Sequence, residues 1–147
     1  MRACRAMNPR FLLDTHALVY ALSAPKKLGK SAHRALRLVE TGNAEADVPA
    51  AALLEIALLF ELGRIDISLP DVENVLHSGS GLRFLALDEK QISDFAAHGV
   101  IRDPFDRLMI SAARSTGAVL LTKDHLLRSC GLVATLCAGG DTQTFSG

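Results

Sequence analysis

Short apolar runs alternate along this chain with helix-spaced apolar stripes, and the alternation predicts its elements. Phe11, Leu12 and Leu13 make a buried first strand that stops at Asp14. A helix follows at once over Thr15–Ser23, then a loop over 25–29. Residues 30–41 form a polar-faced helix with Ala32, Ala35, Leu36 and Val39 inward, closed by Gly42 and Asn43. Residues 46–48 are a brief strand. Pro49 then opens the helix AAALLEIALLFELG, apolar on nearly every side, which predicts that it is largely buried. Residues 64–69, RIDISL, alternate as an edge strand or extended segment. A short amphipathic helix lies within 70–81, a third apolar strand spans 82–87, and a helix covers 89–98. Asp103 and Pro104 start the next helix, with Phe105, Leu108, Met109, Ala112 and Ala113 at helical spacing and Gly117 as its stop. The apolar run of 118–124 ends in Asp124. A short helix over 123–130 and a last strand over 132–137 complete the order, and the polar, glycine-rich tail of 138–147 is expected to fray.

Strands that alternate with helices imply right-handed crossovers and an α/β fold, with a parallel sheet covered by helices on both faces. The 147 residues suit one domain, with its core over about 8–136, and 49% hydrophobic content can fill that core. The net charge is zero, which excludes a chain-wide electrostatic grip on nucleic acid. A local one remains open. Lys26, Lys27, Lys30, Arg34 and Arg37 crowd into twelve residues without an acid, either as a solvated face or as a contact for a phosphate backbone. Cys4, Cys130 and Cys137 form no CxxC pair and read as reduced thiols of a cytoplasmic protein. No apolar run reaches the roughly 18 residues of a membrane span. The N-terminus lacks the apolar core of a signal peptide, and Met7 is an alternative first residue.

The acids carry the candidate chemistry. Asp14 and Asp124 both end strands, so both belong at the carboxyl edge of the sheet, where open α/β folds bind ligands. Each also reads as a helix cap. Asp106 stands in the first turn of the helix that leads into the 118–124 strand. Glu55 lies in the middle of the most apolar helix, where it must be protonated, paired with an arginine or bound to a metal. Asp88 looks like an ordinary N-cap, and so does Asp103. No histidine has a partner at zinc-ligand spacing. Clustered carboxylates repel one another, and a divalent cation relieves the repulsion. Oxygen ligands favour magnesium or manganese, which points to metal-assisted phosphodiester hydrolysis.

LLDTHALVY, LLEIALLFELGRI, RDPFDRLMISAA and LLTKD, in this order and spacing, resemble the PIN-domain ribonucleases, most closely the VapC-type toxins of prokaryotic toxin–antitoxin pairs. The resemblance runs from about Asn8 to Leu136. It implies a three-layer α/β/α sandwich on a mainly parallel sheet of four to five strands. It implies an endoribonuclease dependent on Mg2+ or Mn2+, acting on transfer or ribosomal RNA and leaving 5′-phosphate and 3′-hydroxyl ends. The acidic site carries over onto Asp14, Glu55, Asp106 and Asp124. Asp14, Asp106 and Asp124 would hold the metal, and Glu55 would be a further ligand or would orient the attacking water. Thr15 and Thr122 stand beside the strand-end acids as water ligands or caps. Arg102, Arg107, Lys30 and Arg34 are candidate contacts to the RNA backbone. A homodimer and a small antitoxin of VapB type, blocking the cleft with a basic side chain, are implied as partners.

The chain departs from the family where Pro49 and Ala52 replace a common serine, where Leu54 replaces an aromatic, and where Ile101 replaces a frequent histidine. None of these removes an acid. Two competing readings are a catalytically silent PIN-like binding module and a phosphatase of the haloacid dehalogenase type. The first sits poorly with four intact acids. The second needs another Asp two residues after Asp14, where His16 stands.

Overall fold

In a computed structural model, described over residues 8–139, five strands form one parallel sheet in the order β3-β2-β1-β4-β5. The strands are β1 (Arg10–Leu13), β2 (Glu45–Pro49), β3 (Leu82–Leu85), β4 (Val119–Thr122) and β5 (Thr135–Cys137). The helices are α1 (Thr15–Ser23), α2 (Lys30–Glu40), α3 (Ala50–Glu61), α4 (Leu69–Leu76), α5 (Glu89–Ala97), α6 (Pro104–Thr116) and α7 (His125–Ser129), with a 3-10 turn at Pro25–Lys27. The architecture is the expected α/β/α sandwich. Leu12 and Leu13 of β1 and Leu120 and Leu121 of β4 are fully buried. Successive strand residues point to opposite faces, so helices must cover the centre of the sheet on both sides. Ile56, Met109, Ile110 and Val72 supply much of that cover.

The chain leaves β1 toward β2 and β3 on one side, then returns to place β4 and β5 on the other. The order therefore reverses between β1 and β4, and the strand ends diverge there to leave a crevice. α6 reaches it because α6 must begin at the carboxyl edge in order to feed β4 from below. Gly117, at φ 70°, stops α6 in the left-handed conformation that glycine adopts without a Cβ clash.

Several expectations change. α3 is not largely buried: Leu54, Leu58 and Phe60 are exposed, and so is Leu62 just beyond it, while Ala51, Ala52 and Ile56 face the core. An apolar face looks the same in sequence whether its own fold covers it or not. Residues 64–69 form no strand. Ile67 is buried and Ile65 partly so, but Ser68 and Asp71 turn this stretch into the capping box of α4, which begins at Leu69. The third and last strands are shorter than predicted because Asp88 caps α5 and β5 starts only at Thr135. The tail does not fray from its start. Ala138 is buried, donates to the Thr122 carbonyl and accepts from the Gly29 amide. Residues 140–147, Cys4 and the alternative start at Met7 lie outside the described residues. Cys130 and Cys137 are free thiols. Among the described residues no helix is long and apolar enough to cross a membrane.

Candidate active site

Four separated elements deliver the four predicted acids to one cavity. Asp14 stands where β1 becomes α1. Its carboxylate accepts from the Ala17 amide at 2.9 Å, and its own amide donates to the Leu121 carbonyl, binding this corner to β4. Asp124 caps α7 by accepting from the Leu127 amide at 3.1 Å, while its amide donates to Thr122 Oγ1. Asp106 occupies the first turn of α6, whose cap Asp103 accepts from the Phe105 and Asp106 amides. Glu55 comes from α3. No arginine pairs with it among the described residues. Thr15 Oγ1 donates to Glu55 Oε1 at 2.5 Å instead. These acids line a cavity of about 200 Å³ together with Thr15, His16, Asp103 and Met109.

Capping and clustering are therefore one arrangement. The residue that ends a strand and starts a helix lies at the carboxyl edge by construction, and a cap must be an acceptor. Asp and Asn satisfy both demands, and Asp also brings charge to the edge.

The electrostatic consequence is large. Five carboxylates share the cavity wall, with His16 as the one basic side chain in the lining. Burial, then the charges of Asp124, Asp103, Glu55 and Asp14, push the Asp106 carboxyl up to about 7. Burial also raises Asp14, against the lowering effect of the Thr122 hydroxyl bond, the Ala17 amide and His16. Every acidic donor here is oxygen, which suits a hard divalent cation. Among the described residues no three acidic, imidazole or thiol groups already stand at the spacing of a directly coordinated ion.

The basic candidates lie elsewhere. Arg102, Lys30 and Arg34 are exposed and do not line the cavity. Arg107 is half-buried: its Nε donates to the Ile101 carbonyl at 2.7 Å, and its guanidinium lies 4.3 Å over the Phe95 ring. Asp88 caps α5 through the Gln91 amide, as its sequence context predicts. A larger cavity of about 670 Å³ lies at the far end of α6, lined by Lys90, Asp94, Arg114 and Leu132. Its Asp94 and Arg114 form an ion pair at 3.0 Å, so its carboxylate is neutralised. The crowded like charge lies in the smaller, acid-walled cavity. Sequence reasoning missed His16 and Met109 in that wall. It also placed Thr15 beside Asp14, whereas the Thr15 hydroxyl serves Glu55, forty residues away.

Comparison with known proteins agrees with this geometry. The family model described as PIN domain matches residues 11–130. Ribonuclease VapC22 of Mycobacterium tuberculosis is 28% identical over 120 residues, covering 80% of this chain and 89% of that protein. Among solved structures, VapBC2 from Rickettsia felis, bound to a DNA fragment from its promoter, superposes with a TM-score of 0.63 at 17% identity, covering 86% of this chain and 97% of that one. FitAcB from Neisseria gonorrhoeae superposes with a TM-score of 0.57 at 17% identity, covering 86% of this chain and 96% of that one. At such identity the two structures speak to the fold.

Proposed function

This chain belongs to the PIN domain family, and we propose on that premise that it is a metal-dependent endoribonuclease, the toxin of a toxin–antitoxin pair held inactive by a small antitoxin of VapB type. The observation that carries the reading is the meeting of Asp14, Glu55, Asp106 and Asp124 in one cavity at the β1/β4 switch point. Magnesium or manganese fits that donor set. Asp14, Asp106 and Asp124 would hold the ion, with several of its waters retained. When bound, it neutralises the acids, acidifies a water and withdraws charge from the scissile phosphate.

The chain's own residues do the rest. Asp14 is fixed by the Ala17 amide and Asp124 by the Leu127 amide, so the strand-end carboxylates are positioned before substrate arrives. Glu55 is anchored at Oε1 by Thr15, which leaves its second oxygen to orient the attacking water and accept its proton. The water oxygen bonds to phosphorus as the bond to the 3′ oxygen breaks. The 3′ oxygen takes a proton from solvent as it leaves, and Glu55 returns the proton it accepted to solvent, giving 3′-hydroxyl and 5′-phosphate ends. An arginine offered by an antitoxin suits the same carboxylates, which explains how such a partner would silence the site. Solved relatives include VapBC complexes from Rickettsia felis and Salmonella typhimurium. The exposed Leu54, Leu58 and Leu62 follow one another at one-turn spacing, and we assign this stripe to self-association as a homodimer. The substrate proposed is transfer or ribosomal RNA in the cytoplasm.

Purified protein incubated with total cellular RNA tests the reading. Magnesium should produce discrete fragments with 5′-phosphate ends, and a chelator should abolish them. Intact RNA in magnesium, or fragments unaffected by chelator, would overturn it.

A further inference from the structure

We propose that Lys27 and Lys123, gathered on the ring of Tyr20, hold the RNA backbone beside the acidic cavity, and that His16 offers a stacking face to the flanking base. The proposal rests on the nuclease reading and adds the contact that brings substrate to it. An acid-walled cavity repels a phosphate strand, and the chain's net charge of zero offers no general attraction. Binding then requires local cations close to the cavity.

Such a pair exists. Lys123 Nζ donates to the Tyr20 hydroxyl at 2.7 Å and lies 5.2 Å from the ring centroid. Lys27 Nζ, from the turn after α1, lies 5.7 Å from the same centroid. Both lysines are exposed. Lys123 sits at the hydroxyl end of the ring and Lys27 near the ring itself, and neither ammonium has its charge cancelled by a carboxylate among the described residues. The pair is left with positive charge to satisfy, which suits an anion.

Its position connects it to the chemistry. His16 lines the cavity and meets Tyr20 edge-on, with centroids 6.5 Å apart at 65°. Lys123 directly precedes Asp124 in the chain. His16 in the cavity wall, Tyr20 and the two lysines thus form a series of neighbouring contacts that leads outward from the cavity. Cations that follow the backbone, interleaved with rings on which bases stack, are how single-stranded RNA is held without reading its sequence.

Steady-state cleavage of a short labelled single-stranded RNA in magnesium, repeated over a salt series, tests this. Relative to wild type, Lys27→Gln/Lys123→Gln should raise KM by roughly tenfold, leave kcat within about twofold, and flatten the slope of log KM against log salt by about 1.4, the contribution of two phosphate contacts on a single strand. His16→Ala should raise KM, and His16→Phe should restore it. Lys90→Gln, at the far cavity, is the control. Unchanged KM and salt slope in the double variant would overturn the proposal, as would a loss confined to kcat. If the wild type itself makes no magnesium-dependent cuts, the nuclease reading fails first. If it cuts and the double variant matches it, only this subsite fails.

Discussion

Glu55 is the residue whose environment says most about mechanism. It is an acid on an apolar helix that, among the described residues, pairs with no cation and is held by the hydroxyl of Thr15. Glu55→Gln preserves size and can still accept from Thr15, so thermal unfolding should stay close to wild type. It removes the proton acceptor, so kcat for RNA cleavage should fall by about 10²–10⁴, measured under single-turnover conditions. Asp103 has a different role. It caps α6 and lines the cavity, and Asp103→Ala should cost about 1 kcal/mol by chemical denaturation through loss of the cap. At this scale the sequence was legible where function coincides with punctuation. Asp14 and Asp124 announce themselves because each ends an apolar run, and Glu55 because it interrupts one. Their supporting contacts were hidden. Thr15 and Glu55 are 40 residues apart, and Lys123 and Tyr20 are 103 apart. No local pattern encodes a partner at that separation.

α3 shows how one element can carry opposite demands on adjacent positions. Ile56 is fully buried, while Leu54 and Leu58 are exposed. Ile56→Ala should therefore destabilise by about 2–5 kcal/mol, with a cavity left behind in the core. Leu58→Gln should stay within about 0.5 kcal/mol when measured on the dilute monomer, where no partner subunit covers the residue. Urea midpoints of the two variants check both values, and an equal large loss would mean that the whole helix is core. The helix boundaries were readable from Pro49 and Gly63, but exposure was not, because hydrophobicity records what is eventually covered and not by which chain. The 64–69 segment failed for a related reason. Alternation over six residues marks an extended backbone, but a ladder also needs a free neighbour, and Ser68 and Asp71 had already committed this stretch to the capping box of α4. Asp47, on β2, is a further acid that strand alternation alone could not place. It is buried between Arg10 and Arg83 of the two flanking strands, which makes it structural.

For the whole molecule, the sheet order concentrates like charge at the switch point, and stability should report it. Asp106 binds its proton more tightly in the folded chain than in the unfolded one, since its carboxyl rises from 3.8 to about 7. Without a cation the native state is then favoured at low pH, and that contribution is lost as pH rises across this window. The metal-free melting temperature should fall between about pH 4 and 7 from this group. Asp106→Asn should raise it at pH 8, and magnesium should stabilise wild type there more than the variant, by mass action on the native state. The parallel α/β plan was legible because strands and helices alternate throughout. The convergence of Asp106 with the strand-end acids was not, because it depends on how α6 crosses the sheet.

The most direct measurement is an anomalous difference map from a crystal grown in manganese. The acid-walled cavity should contain a manganese peak, bound directly or through water by Asp14, Asp106 and Asp124, with Glu55 on the same wall. A cavity without manganese at saturating concentration, or Glu55 and Asp124 on opposite sides of the molecule, would contradict it.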